Sequence, residues 1–425
     1  MQNASIIQIK TNLKIMLKRL KLIVIKYLCP IYRWILVKRL KCKDKINVVF
    51  FAMSLPMWKH QHLYEILSKH PRFNPTIVIL PSCSYAAEQQ ASDVKVMKEY
   101  FDAKRIPYVL GIQDNGSPYE VRLNLSPDIL FYPQPYWGIF IDDFTHNKFY
   151  DKLLCYTPYA FWTSKEEWSY AQTLQKMAWK LFYSTELHRI DATKYSPVKD
   201  SNVEVVGYPT ADDFLHSDHL DTWKPQRFPK KRVIWASHFT ILPGGYLNQS
   251  NFLWMSELML ELAQRYSDKI QFVFKPHPRL YTELCRHPEW GDDRTKEYYR
   301  CWETMENTQI ETGEFVDLFM TSDAMIHDCG SFSVEYHYSE NPVMYIAKNF
   351  EEQVEDKNDF GKIAMNLHYV GKEKQDIVDF IENVVLKGDD PLKPKRQQFK
   401  HDYLLPPNGK TVAENTMDVL IRELC

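Results

Sequence analysis

Short runs of consecutive apolar residues alternate with longer stretches of helical spacing, and this alternation occurs twice along the chain. The first series runs from Ile46: INVVFFAM, then the helical HQHLYEILSKH, then PTIVILPS, KRIPYVLGI, PDILFYPQPYW, KLLCYTPYAF and VEVVGYPTADDF, with DVKVMKEYFD as a further helix. Strands that are apolar on every residue, rather than on alternate ones, are buried on both faces, and intervening helices supply the crossovers of a parallel sheet. After HSDHLDTWKPQRFPKK, a polar stretch with Pro225 and Pro229 that reads as an interdomain connection, the pattern restarts. RVIWASHF, the helical NFLWMSELMLELAQRY, IQFVFKPHP, NTQIETG, the helical VDLFMTS, AMIHD and NPVMYI form the second series, and a last helix is expected from about Thr411 to Glu423. The fold class predicted is α/β, GT-B-like, with two Rossmann-like domains facing a central cleft and a basic amphipathic helix in front. Its divisions are residues 1–44, an acceptor-side domain 45–222 and a nucleotide-donor domain 223–425. A chain of 425 residues, 45% of them hydrophobic, is long enough for two such cores.

The charge is unevenly placed. Lys and Arg number 53 and Asp and Glu 54, yet residues 1–45 hold twelve of the basic residues and one acid, Asp44. Lys10, Lys14, Lys18 and Lys21 recur beside Leu13, Leu17, Leu20 and Val24 at helical spacing, Pro30 interrupts, and Trp34, Ile35 and Val37 lie among Arg33, Lys38 and Arg39. This pattern predicts an interfacial helix on an anionic membrane surface; a helix packed on the body and an RNA-binding tail are the alternatives. With an acidic body behind the arm, nucleic acid is not expected as a partner. Lys26 and Lys38 cut the apolar runs, so neither a membrane-spanning helix nor a cleaved signal peptide is expected. The eight cysteines contain no C-x-x-C pair and read as reduced thiols.

Two segments carry chemistry. Lys275-Pro276-His277-Pro278 ends the strand IQFVF, and its prolines keep the backbone extended, so His277 is expected to project from the strand end. There the imidazole and the Lys275 ammonium can neutralise charge developing on a diphosphate; a histidine fixed in a structural turn is the other reading. Further on, a strand ends at Asp328, and Cys329-Gly330-Ser331 precede a helix whose first amides and Ser331 hydroxyl suit an anion. Glu335, one turn later, can accept hydrogen bonds from ribose hydroxyls. An ordinary strand-to-helix turn with Ser331 as N-cap explains the same residues. Pro243-Gly244-Gly245 is too short for a phosphate-loop fingerprint and reads as a flexible loop, and His60-x-His62 lacks a third ligand, so no protein-held metal or tightly bound cofactor is expected. A transient divalent cation on a diphosphate is compatible with both segments.

KPHP followed by the Asp328, Ser331 and Glu335 element resembles the CDP-glycerol glycerophosphotransferase family, the teichoic-acid and capsule polymerases and primases of the GT-B fold. The similarity spans about residues 45–425 and is firm between Val203 and Tyr345. Where that family usually has T-D-Y-S-S, this chain has His327-Asp328-Cys329-Gly330-Ser331; Gly207-Tyr208-Pro209-Thr210-Ala211-Asp212 resembles the family's G-x-P-R-x-D, with Thr210 at the arginine position. The resemblance implies a donor-binding set of Lys275, His277, Asp328, Gly330, Ser331, Ser333 and Glu335, joined by Gly207 and Pro209. It implies transfer of a polyol phosphate from a CDP-activated donor, most simply CDP-glycerol, to a membrane-linked glycan or polyol-phosphate acceptor, with CMP leaving. It also implies a peripheral place on the cytoplasmic face of a bacterial membrane. The family's W-H-G segment, whose histidine is the usual base, has no counterpart; Leu154 to Phe161 stands there. Besides His277, substitutes by position are His60 and Asp142, then His62, Asp143, His146 and His238. A sugar transferase of the same fold and a catalytically silent scaffold are the competing expectations.

Overall fold

The computed structural model describes residues 28–136, 138–242 and 250–425. The periodic stretch Lys10 to Val24 and Pro243-Gly244-Gly245 lie outside them. The chain divides into two compact units. One contains the described residues up to Trp162, then Glu166–Asp212 and Pro406–Cys425; the other contains Thr163–Lys165 and Asp213–Leu405.

The first unit opens with helix α1 (Cys29–Lys41), which carries Pro30 in its first turn, where a missing amide hydrogen costs no helical bond, and Lys38, Arg39 and Lys41 in its last. Its sheet has strands β1 (Ile46–Ala52), β2 (Phe73–Ile79), β3 (Tyr108–Leu110), β4 (Ile129–Tyr132), β5 (Leu153–Tyr156), β6 (Lys180–Tyr183) and β7 (Val203–Val205), all parallel, in the order β3-β2-β1-β4-β5-β6-β7. Helices α2 (Gln61–Lys69) and α3 (Ala87–Ala103) supply the first two crossovers. Phe50 stacks on Phe131 at 4.7 Å on one face of the sheet, while Phe51 meets Tyr132 edge-on at 5.1 Å on the other, so the unbroken apolar run of β1 is used on both sides.

The second unit has β8 (Lys231–Ser237), β9 (Ile270–Pro276), β10 (Thr308–Ile310), β11 (Ala324–His327), β12 (Val343–Ile346) and β13 (Tyr369–Gly371), again all parallel, in the order β10-β9-β8-β11-β12-β13. Helix α4 (Phe252–Arg265) buries Phe252, Met255, Met259 and Leu262, one stripe at helical spacing. Together with α5 (Gly291–Thr304) it covers a core in which Trp235 stacks on Phe274 at 4.6 Å and meets Trp302 at 5.5 Å. In each unit the strand order reverses once, between β1 and β4 and between β8 and β11, and open parallel sheets bind ligands outside the carboxyl ends of their strands at such a reversal.

The two-series α/β reading holds, with differences in detail. Strands β6 and β13 were not expected. The polar stretch after Phe214 is laid on the second unit: His219 Nδ1 meets Asp317 at 3.1 Å and Trp223 Nε1 donates to Thr321 Oγ1 at 3.1 Å. The last helix, Val412–Leu424, belongs to the first unit, where it packs on α1 and α2. Asp212 holds its start by accepting the amides of Val412 at 2.7 Å and Ala413 at 3.0 Å. Gly207, at φ +104°, lets this return pass close by: a Cβ there would lie 2.9 Å from Val412 Cγ2 and 3.2 Å from Pro406 Cα.

Candidate functional site

The carboxyl ends of β9, β8 and β11 lie side by side in the second unit, with Ser237 in register with Pro276 and Ala236 with His327. The residues that follow each strand therefore meet. The His277 amide donates to the Ser237 carbonyl at 2.9 Å, and the rings of His238 and His277 are 5.4 Å apart. Phe239 packs against both, at 4.5 and 4.4 Å, with the Arg279 guanidinium 4.2 Å from its ring centre.

Both imidazoles are neutral near pH 7. Burial pulls each down to about 4; Arg279 adds to this in both, and His238 adds to it in His277. Nδ1 of His277 accepts the Arg279 amide at 3.1 Å, so Nε2 of that ring carries the proton and is the donor. Nδ1 of His238 lies 2.9 Å from Thr240 Oγ1, a contact that either tautomer makes, and 3.4 Å from the Thr240 amide. Lys275 is buried, its Nζ donates to the Gly313 carbonyl at 2.8 Å, and burial lowers its pKa to about 8, against the opposing pull of Glu311, Cys329 and Glu314.

Asp328 uses both carboxylate oxygens on backbone amides. It is 2% exposed, its Oδ1 accepts the His238 amide at 2.7 Å and its Oδ2 accepts the Asn251 amide at 2.5 Å. Burial raises its pKa to about 6 even though these amides favour the charged form. The carboxylate thus ties the end of β8 to the start of α4 from the end of β11, across the strand reversal. Asn251 Nδ2 continues the link to the Ile346 carbonyl at the end of β12, at 2.9 Å.

Of the other residues singled out in the sequence, Ser331 is exposed in the turn before a four-residue helix, α6 (Phe332–Glu335). Ser333 is committed to the turn, donating Oγ–H to the Gly330 carbonyl at 2.5 Å, and Glu335 is buried. Gly207 and Pro209 lie in the first unit, where Gly207 accommodates the returning tail. His60 is enclosed by Phe50, Trp58 and Phe131 at 5.2–5.9 Å, burial draws it down to about 3, and neither ring nitrogen has a hydrogen-bond partner among the described residues. Asp142 sits on an exposed turn, 3.0 Å from Lys148 Nζ. His146 is buried and His62 half-buried in the same unit. His238, a positional substitute in the second unit, lies beside His277. Phe239, Arg279 and Asn251 were not singled out; the arginine directly after KPHP was the available signal for one of them.

No family model matches this sequence, and no curated protein matches it. Solved structures do align with nearly the whole chain. The wall teichoic acid polymerase TagF aligns with a TM-score of 0.56 and 11% identity over 90% of this chain and 90% of its own. The UDP-GlcNAc 2-epimerase of Neisseria meningitidis, bound to UDP-GlcNAc, aligns with a TM-score of 0.54 and 13% identity over 89% of this chain and 99% of its own. A glycosyltransferase from Rickettsia africae aligns with a TM-score of 0.50 and 11% identity over 90% of this chain and 99% of its own. At such identities the likeness speaks of architecture, and with the two parallel sheets and their strand orders it shows a GT-B-type fold of two α/β domains.

Proposed function

We propose that the chain is a transferase that moves glycerol phosphate from CDP-glycerol to a hydroxyl of a membrane-linked surface glycan or teichoic-acid precursor. The acceptor oxygen bonds to the β-phosphorus, the bond from that phosphorus to the bridging oxygen breaks, CMP leaves with that oxygen, and the acceptor proton passes to a base or to water. The observation that carries this reading is the pair of neutral imidazoles, His238 and His277, each with an N–H to donate, at the carboxyl ends of β8 and β9 beside the strand reversal. Phosphoryl transfer asks for fixed donors where charge builds on the diphosphate, and donors that need no reorganisation are the most effective. Arg279 is the cation that acts on both rings, the buried Lys275 ammonium lies on the Gly313 carbonyl from the end of β9, and the exposed Ser331 follows the neighbouring strand β11. The KPHP resemblance and the alignment with TagF favour the CDP-polyol donor.

A second reading has a specific observation of its own: structures aligning with this chain include one holding UDP-GlcNAc and a glycosyltransferase. In that chemistry the acceptor attacks the anomeric carbon and the whole nucleoside diphosphate leaves, using the same clamp. The released nucleotide separates the two. Purified protein given CDP-glycerol, CDP-ribitol or UDP-sugars with a membrane extract is expected to release CMP from a CDP-polyol, dependent on the acceptor. Release of UDP overturns the glycerol phosphate reading in favour of sugar transfer, and donor turnover unchanged in both His277→Ala and Glu335→Ala overturns the site.

A further inference from the structure

Helix α1 is apolar on two opposite sides. One side, with Leu36, Val37 and the buried Leu40, turns to the body, where the Arg33 guanidinium donates to the Lys176 carbonyl at 3.2 Å and the C-terminal helix packs alongside. On the other side Leu28, Ile31, Tyr32 and Ile35 follow one another at spacings of three, one and three residues, a single stripe about one hundred degrees wide, and all four are exposed. Trp34 flanks the stripe at 61% exposure. Single exposed apolar residues are ordinary, but five large ones within eight positions form a contiguous patch that marks an interaction surface.

The charge around the patch selects its occupant. Every charged residue of α1 is cationic: Arg33, Lys38, Arg39 and Lys41. The last three are exposed at the carboxyl end of the stripe, and the Lys38 ammonium lies 5.6 Å from the centre of the Trp34 ring. The sequence before α1 adds Lys10, Lys14, Lys18, Arg19, Lys21 and Lys26 without an acid. An anionic bilayer offers both things that this surface matches, an acyl boundary for aliphatic tips and phosphates for cations. Trp and Tyr, each with an apolar body and a polar edge, suit the headgroup level between them.

We infer that the stripe Leu28, Ile31, Tyr32 and Ile35, with Trp34, is a bilayer-docking surface that lies in the headgroup layer of an anionic membrane, with Lys38, Arg39 and Lys41 on lipid phosphates. Among the described residues no helix is long and apolar enough to cross a membrane, so this docking is in the plane of the interface. The surface is independent of the transfer chemistry, and its test needs no donor.

The full chain is sedimented with vesicles of phosphatidylcholine and of phosphatidylcholine mixed with one third phosphatidylglycerol. Binding is expected only to the anionic vesicles and is weakened by salt. Ile31→Asp with Ile35→Asp removes it. Lys38→Gln with Arg39→Gln and Lys41→Gln, which leaves the apolar face intact, weakens it by roughly 100-fold. All five positions are exposed or on the outer side, so folding is retained and is checked by circular dichroism. Undiminished vesicle binding by both variants overturns the inference. So does a wild-type chain that ignores vesicles and instead forms a dimer that Ile31→Asp dissociates, which would assign the stripe to a second copy.

Discussion

The Asp328 carboxylate accepts the backbone amide of His238 at 2.7 Å, so a residue at the end of β11 fixes the backbone of one that follows β8. The same group takes the Asn251 amide through its second oxygen. Asp328→Ala leaves two amides in a buried setting without an acceptor, and each such loss costs about 1 to 3 kcal/mol. The expected result is a loss of about 2 to 6 kcal/mol of unfolding free energy, read from urea denaturation, together with faster amide hydrogen exchange at His238 and Asn251. Unchanged exchange at both amides would show that the tether is not needed.

His238 and His277 are held near 4, so both stay neutral donors from pH 8 down to about 5. Lys275, at about 8, and Asp328, at about 6, titrate inside that range, so donor turnover is expected to rise as Lys275 gains its proton below pH 8, to fall as the Asp328 tether is neutralised near 6, and to fall further as the imidazoles protonate on approach to pH 4. His277→Ala and His238→Ala are each expected to lower kcat by about 100-fold, the effect of removing one preorganised donor. A break near 6.5 that persists in Asp328→Asn contradicts the neutral assignment of the imidazoles.

Three histidines make the second unit sensitive to acid. His327, His337 and His368 are buried in contact, with rings 5.3 and 4.9 Å apart along the series 327, 368, 337. Each donates one N–H to a backbone carbonyl, of Cys329, Ala364 and Ala364 with Met365 respectively, and keeps the other nitrogen bare. Tyr345 and Phe399 line the cluster and Arg396, paired with Asp390, adds positive charge. Burial lowers all three, His368 to about 4. A histidine whose folded pKa lies below its unfolded value takes up a proton on unfolding. The stability is thus full above pH 6.5 and is lost as the pH falls from 6.5 towards 4. Thermal melts at stepped pH check this, and His337→Leu is expected to remove about one proton from the slope.

Gly207→Ala places a methyl group within 2.9 Å of Val412 Cγ2 at a positive φ. The expected loss is about 2 kcal/mol or more, with earlier proteolysis between Pro406 and Lys410. An unaltered cleavage pattern would show that the tail does not depend on this close approach.

The sheets were legible because fully buried parallel strands such as INVVFFA and IQFVF are apolar without a break. KLFY and YVG, at β6 and β13, were not expected although they are no shorter than ILFY and YVL, which read as strands. His277 was legible from its flanking prolines. Its neighbour His238 has no such marker and gains its place only through the register of β8 with β9. Asp328 shows a more general limit: a carboxylate after a strand looks the same in sequence whether it meets a ligand or two amides from elsewhere in the chain. The membership of Val412–Leu424 in the first unit depends on contacts some two hundred residues apart, which no local pattern encodes.

That returning helix also governs how the molecule can be taken apart. The chain leaves the first unit after Asp212 and re-enters it at Pro406, so the polypeptide of the second unit, Thr163–Lys165 aside, is an insertion within the first. A fragment ending near residue 222 would lack the surface on which α1 and α2 rest, and one beginning there would carry an amphipathic helix with nothing to cover it. Dissection therefore calls for excising 213–405 with a short bridge in its place, and a ribosome that has finished the first sheet must still synthesise the whole second unit before the first can close.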